Sequence, residues 1–359
     1  MRYLSAAGIL LLGFAGAFLA LQAYLARTEQ ELQSPPPSSF FWTEATTSAE
    51  WRARDSAESF VFAGRMWIEG GINADTEVDT TAHYVKYWEA PHFNDIWSTA
   101  DGITWEKAST SAAWPPRRSL SIIEYRGTLW MFGGWSPVTG YQSDIWRSDD
   151  AIHWKRAGTA PWPPREGQTA LVYRDRLYMM GGINYDARQE KNDVWYTDDG
   201  LQWAEAVAHA PWEPRWDHTT AVFNDTIYLI AGMDLNDHVF SDIWTSTDGA
   251  DWQRASTTPP WQARQGSVLV PYDGALWLIG RLDDDIYGGT NDMWYTKDGI
   301  LWDEWAHNLP WIGREDHNAS VFKGSLWVFA GMGADWHWHN DVWAFGTTSP
   351  LQPAAVLQI

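Results

Sequence analysis

Three tryptophan series, each of six members spaced by about 49 residues, constrain this chain more than any other feature. The first is Trp97, Trp146, Trp195, Trp244, Trp294 and Trp343, each closing an Asp-x-Trp triplet. The second is Trp42, Trp105, Trp154, Trp203, Trp252 and Trp302. The third is Trp51, Trp114, Trp162, Trp212, Trp261 and Trp311, each followed three residues later by arginine. Six copies of each series mean six repeats. A repeat of roughly 40–50 residues with strand-like content matches one blade of a β-propeller, a sheet too small to bury its apolar face alone.

Bulk composition narrows the function classes. The chain carries 46 acidic against 25 basic residues, a formal charge of −21. A polyanion would be repelled, so nucleic acid is not expected as a partner. With no cysteine, disulfides, thiol catalysis and thiolate metal sites are excluded too. The length of 359 residues would ordinarily suggest two domains, but blades do not fold independently and the repeats override that prior.

Leu4 to Ala26 is an apolar run broken only by Ser5 and Gln22. At 1.5 Å per residue it would span roughly 30 Å of hydrocarbon. Arg2 precedes it and Arg27, Glu29 and Glu31 follow, a slight bias toward an external propeller. The run exceeds a signal-peptide core, and Leu21-Gln22-Ala23 is a poor cleavage site, so an uncleaved signal anchor is expected. Residues 1–27 are thus read as a transmembrane helix and 28–40, with Pro35-Pro36-Pro37, as a stiff linker. The propeller is read over 41–346, with a tail over 347–359. Localisation is expected to be membrane-anchored and extracytoplasmic, periplasmic or at the cell surface.

Within one repeat, His218–Phe223 and Thr226–Ala231 read as strands joined by Asn224-Asp225. Asp242-Ile243-Trp244-Thr245 and Asp251–Ala255 read as a second pair, with Asp248-Gly249 taken as a type I′ hairpin turn. Each blade is then a four-stranded antiparallel meander. The last repeat lacks a fourth strand, while Trp42–Trp51 matches Trp105–Trp114 nearly position for position. The N-terminal strand should therefore complete the last blade and remove the open sheet edges.

At this level the chain resembles the kelch family of β-propellers, of the galactose oxidase central-domain type. The residues behind the resemblance are Gly70-Gly71, Gly133-Gly134 and Gly181-Gly182 closing second strands, with Gly232, Gly280 and Gly331 read as the retained second glycines. The fourth-strand tryptophan and Arg-x-x-His at Arg215/His218 and Arg314/His317 add to it, and the likeness covers residues 42–346. Asp-x-Trp replaces a commoner tyrosine, and the Asp-Gly-x-x-Trp turns look like a degenerate Asp-box. The resemblance implies an all-β, six-bladed propeller.

Loops after strands two and four share one face and are long and irregular; function concentrates there. The longest, Ile72–Asn94, carries His83, Tyr84, Lys86, Tyr87, Trp88, Glu89 and His92 and could form a lid. Residues present in every blade should serve the blade. Arg54, Arg117, Arg165, Arg215, Arg264 and Arg314 recur, as do Asp95, Asp144, Asp193, Asp242, Asp292 and Asp341. Six bracing Arg–Asp pairs are expected, the alternative being a basic ring gripping an anion, as in kelch relatives that bind acidic ligands. Apart from the three series and Trp67, Trp130, Trp277 and Trp327 in second strands, six tryptophans break the pattern. Trp88, Trp135, Trp216, Trp336 and Trp338 fall on the loop face and Trp305 on a strand. Grouped aromatics mark recognition surfaces, and their flat faces suit sugar rings. With Arg118, Glu166, Arg188, Asp217, Arg281 and Glu315 nearby, they form the candidate binding set.

No metal or cofactor is expected: His337 and His339 lack a third ligand, and Asp283-Asp284-Asp285 lacks the spacing of a calcium loop. The expected function is a membrane-tethered binding module for carbohydrate or protein, not clearly an enzyme. The alternative, from resemblance to periplasmic sialic-acid epimerases, is a sugar-acid mutarotase or epimerase. In it Arg118, Arg188 or Arg281 would hold the carboxylate and Glu166 or Glu315 would move the proton.

Overall fold

The computed structural model describes residues 39–79, 84–256, 259–280 and 291–351. The predicted anchor, nearly all of the linker, His83, Arg281, the Asp283–Asp285 triplet and the tail beyond residue 351 lie outside them. Among the described residues every regular element is a strand.

Six four-stranded antiparallel sheets follow one another along the chain. Their first strands are Asp55–Phe62, Ser121–Tyr125, Thr169–Tyr173, Thr219–Phe223, Val268–Tyr272 and Asn318–Phe322, in blades I to VI. Each first strand abuts those of its two neighbours, so the six together line the central axis. Phe41–Thr46 pairs antiparallel with Val342–Gly346, Trp42 opposite Phe345, and supplies the outer strand of blade VI. The ring is closed by its first and last strands, as the sequence predicts.

The first hairpin of every blade turns through two residues of positive φ, for example Asn224 (48°) and Asp225 (54°). That is a type I′ turn, whose twist matches the flanking strands. The Asp248-Gly249 turn differs from expectation. Only Gly249 has positive φ, and five residues separate the strands Ile243–Ser246 and Trp252–Ser256. Asp248 Oδ1 instead accepts the amides of Ala250 and Asp251, both at 2.8 Å, and Ser246 Oγ accepts that of Gly249 at 2.9 Å. The turn is held by side chains, and the glycine is needed because a Cβ would lie 2.4 Å from Tyr178 of the preceding blade.

The tryptophan series have distinct jobs. The Asp-x-Trp indoles donate to their own aspartates, at 2.6–2.9 Å in all six blades. The other two series meet edge to face between blades, as at Trp162–Trp203 (4.7 Å), Trp261–Trp302 (4.8 Å) and Trp42–Trp311 (4.4 Å). Such geometry adds about 0.5–1.5 kcal/mol per pair beyond the area buried.

The six arginines are at most 1% exposed, and each forms a two-pronged bond to the aspartate of its blade, as Arg117 does to Asp144 (2.7 and 2.9 Å). The same side chain donates to the carbonyl closing the second strand, at Gly133 for Arg117 (3.0 Å). In Arg54, Arg165, Arg215, Arg264 and Arg314 the pattern repeats on Asp95, Asp193, Asp242, Asp292 and Asp341. This register corrects one assignment. Arg264 donates to Gly280 O, so Gly280 holds the first-glycine place, with φ 71° against 91–97° for the second glycines. Arg281 therefore stands where the other blades have a second glycine.

Candidate functional site

Two positions follow each invariant arginine before the first strand runs down the axis. They read Asp55-Ser56, Arg118-Ser119, Glu166-Gly167, Trp216-Asp217, Gln265-Gly266 and Glu315-Asp316. All six members of the first position line one cavity of about 700 Å³ at the loop-bearing end of the axis, joined by Ser56, Ser119, Asp217 and Asp316 from the second. The backbone explains why. The first position pairs with the residue after the second glycine, as Arg118 does with Trp135 through amide bonds of 3.0 and 3.1 Å. Every second-position residue has φ between 48° and 65°, which turns the chain inward. Ser56, Ser119, Asp217 and Asp316 hold that conformation without being glycine, strain of about 1–2 kcal/mol each that the surroundings must enforce.

Main-chain bonds between these turns run head to tail around the axis. Ser119 N donates to Ser56 O (2.8 Å), Gly167 N to Ser119 O (3.2 Å), Gly266 N to Asp217 O (3.2 Å), Asp316 N to Gly266 O (2.9 Å) and Ser56 N to Asp316 O (3.2 Å). Below this collar the channel narrows to a space of about 140 Å³ flanked by Glu58, Gln168, His218 and His317.

The walls come from the loops between second and third strands. Blade I supplies Val85, Tyr87 and Trp88, blade II Trp135 and Tyr141, blade III Tyr185 and Asp186, and blade VI Trp336. The long blade I loop also packs sideways: Ala74, Val85 and Ala90 form a small apolar cluster with Met332 and Trp338. It is both an insertion bracing blade VI and a wall of the cavity.

Of the sequence-predicted set, Trp88, Trp135, Trp216, Asp217, Trp336, Arg118, Glu166 and Glu315 line the cavity. Trp338 does not: it is 4% exposed, inside the blade I–VI cluster. Trp336 has φ 63°, and the chain turns there between the cavity wall and the cluster that holds Trp338. Arg188 is exposed on the blade III loop and away from the cavity. Arg281 lies outside the described residues. Trp305 sits on an outer strand against Phe345 (4.8 Å). None of the six repeated arginines lines the cavity, so they form no basic ring there. Asp55, Asp316, Tyr141 and Gln265 were not singled out by sequence; the signal for three of them is that they vary within the two positions after an invariant arginine.

The charge balance is lopsided. Arg118 is the one cationic residue among the described lining residues, and it is engaged by Glu166 at 2.9 and 3.2 Å. Its guanidinium also lies 5.2 Å from the Tyr87 ring centre and 5.1 Å from that of Trp135. Burial opposes its charge, but Glu166 prevails and raises its pKa. Asp55, 2% exposed, is pushed up to about 8 by burial and then by Asp316. Burial drives Asp217 well above the usual carboxylate range, reinforced by Asp316 and Glu315. Glu315 rises likewise through burial, Asp316 and Asp55, and Asp316 through burial. Below them Glu58 reaches about 8 by burial. Among the described residues no group of three or more acidic or histidine side chains is arranged to hold a metal ion.

A closed six-bladed ring with these repeats defines a kelch-type propeller, and the comparisons agree. The KLHDC2/KLHL20/DRC7 Kelch-repeats domain matches residues 87–280 and 167–350, and the chain belongs to the kelch-repeat family. Its fold is similar to the solved structure of YjhT, with TM-score 0.66 and 13% identity over 83% of this chain and 96% of that one. At that identity the likeness concerns the fold alone. No curated protein matches the sequence.

Proposed function

We propose that this protein is an extracytoplasmic binding module, tethered through Leu4–Ala26, that holds its ligand at the axial cavity. Kelch propellers present such faces to carbohydrate or protein. The aromatic walls around carboxyl acceptors favour a carbohydrate here, because sugar rings offer apolar C–H faces and many hydroxyl donors. The observation carrying this reading is that all six residues directly after the invariant arginines, which vary from blade to blade, line this one cavity. A sugar acid gains no support from Arg118, already paired with Glu166, or from Arg188, which is not among the lining residues, and Arg281 lies outside the described residues. A glycan array read with the full-length chain tests the proposal. Trp88→Ala, at a side chain 53% exposed, should weaken binding at least tenfold without moving thermal unfolding. Unchanged glycan binding in that variant would remove the cavity as the site.

A further inference from the structure

Among the described residues, the carboxyls lining the cavity far outnumber the cations, of which Arg118 is the one. Asp55, Asp217, Glu315 and Asp316 come from blades I, IV and VI and face one enclosed space. None of the four forms a direct ion pair among the described residues, and Arg118, held by Glu166, acts on Asp55, Asp217 and Asp316 only at longer range. Asp316 accepts a bond from Ser56 Oγ (3.0 Å) and Glu315 one from Gln265 Nε2 (3.2 Å), both neutral donors. Asp55 Oδ1 is buried at the cavity wall with no partner within hydrogen-bonding distance among the described residues, the nearby Trp338 indole, which pulls its pKa down, being left without a partner as well. A buried acceptor left open, in a cavity large enough for a ligand, calls for a donor brought by that ligand.

The cavity already contains a worked example of what fits. On its blade II side Arg118 lies close to two aromatic rings, Tyr87 and Trp135, and is gripped by Glu166. Blades III and IV offer Tyr185 and Trp216, 5.3 Å apart and edge to face, beside Asp217, which Arg118 reaches only at longer range and with which no cation of the described residues forms an ion pair. Aromatic faces and carboxylates together are the environment that stabilises an organic cation, through the ring quadrupole and charge-assisted hydrogen bonds.

We infer that the ligand carries a protonated amine on a sugar ring, and that this amine is seated among Asp55, Asp217, Glu315 and Asp316. The inference rests on the carbohydrate reading above and adds the charge of the ligand. The arriving ammonium favours the ionised carboxylates, so protons that burial had retained there leave on binding. The described groups facing this cluster are Arg118, Glu166, Asp186, Tyr87, Tyr141 and Tyr185, of which Arg118 already has its counter-charge.

The test compares a glucosamine trimer with its fully N-acetylated counterpart on the full-length protein, by calorimetry at pH 6.5 in two buffers of different ionisation enthalpy. The amine form should bind at least tenfold more tightly and release protons; the acetylated form should release none. D217N/D316N should lose that preference. Asparagine is isosteric and tolerates the positive φ of both positions, 51° and 50°, and thermal unfolding of the variant reports that it remains folded. Equal binding of both trimers would overturn the amine assignment and leave the carbohydrate reading standing. If neither trimer binds and a lysine peptide does, both are overturned. A D217N/D316N protein that stays folded and keeps the full preference would overturn the placement of the amine.

Discussion

The Ser56 amide donates to the Asp316 carbonyl at 3.2 Å, and the Ser56 hydroxyl donates to the Asp316 carboxylate at 3.0 Å. These two residues lie 260 positions apart in the chain, yet they join blade I to blade VI at the floor of the cavity. The outer closure does the same job at the rim, where Phe41–Thr46 lies against Val342–Gly346. The ring is thus fastened twice, once by a shared sheet and once by the collar of main-chain bonds that also shapes the site. The left-handed conformations at Ser56 and Asp316 are the local cost of that second fastening.

Glu69 should be a site where replacement stabilises. It is fully buried in the second strand of blade I, and neither carboxyl oxygen has a hydrogen-bond partner among the described residues. The corresponding places in the other blades hold Phe132, Met180, Ile230, Ile279 and Phe329. Burial drives its pKa well up, against a smaller downward pull from the nearby Trp154 indole. The folded chain therefore keeps the proton that the unfolded chain loses above about pH 4.5. Its stability contribution is fully present below that pH and is lost as pH rises toward the elevated folded value. Glu69→Met should raise stability by about 1–3 kcal/mol at neutral pH, the cost of an unsatisfied buried polar group. The gain in urea midpoint should be larger at pH 8 than at pH 5; an equal gain at both would show that Glu69 ionises freely in the fold.

His317 should act in the opposite direction. It is 4% exposed, with neither ring nitrogen hydrogen-bonded among the described residues. Burial and then Arg314 depress its pKa to about 3. The unfolded chain takes up a proton as pH falls below about 6.5 and the folded chain resists it, so stability is lost between about pH 6.5 and pH 3. Blade II has Leu120 at the same place, so His317→Leu fits the architecture. The variant should lose part of the acid sensitivity, a slope of at most about 1.4 kcal/mol per pH unit for one proton. The check is the urea midpoint at pH 4 and pH 6, where wild type should fall more steeply than the variant. His218, depressed to about 3 in the same way, keeps the remainder of the slope.

Blade number, strand order and ring closure were legible because Asp-x-Trp and the invariant arginines each serve their own blade and so repeat. Arg117 needs Asp144 and the Gly133 carbonyl, and that triangle reappears six times. The cavity was harder to read because its residues are the ones that do not repeat. Asp55 and Asp316 look ordinary in one dimension; only their places one after Arg54 and two after Arg314 mark them. Trp338 misled because it breaks the repeat on the loop face as Trp336 does, and nothing in the sequence announces that it packs among Ala74, Val85, Ala90 and Met332 instead of on the cavity. The first-glycine places misled for a related reason: Ala231 and Ala330 adopt φ 66° and 64° there, so glycine identity alone does not mark the position.

Those two alanines point to a size rule between neighbouring blades. A Cβ on Gly181 would lie 2.5 Å from His218 Cε1, one on Gly133 2.6 Å from Gln168 and one on Gly70 2.6 Å from Leu120. The same register places Ala231 toward Ser267 and Ala330 toward Ala57, both small. Glycine is thus required at Gly181 less by its φ of 65° than by the imidazole over it. Gly181→Ala should cost about 1–2 kcal/mol from backbone strain and a further ~1–3 kcal/mol from overpacking against a buried ring that has no room to move. In a His218→Ser background the overpacking part should vanish, leaving the strain alone. Chemical denaturation of wild type, the two single variants and the double variant closes the cycle. A coupling near zero would mean that His218 shifts freely and that the size rule is coincidence.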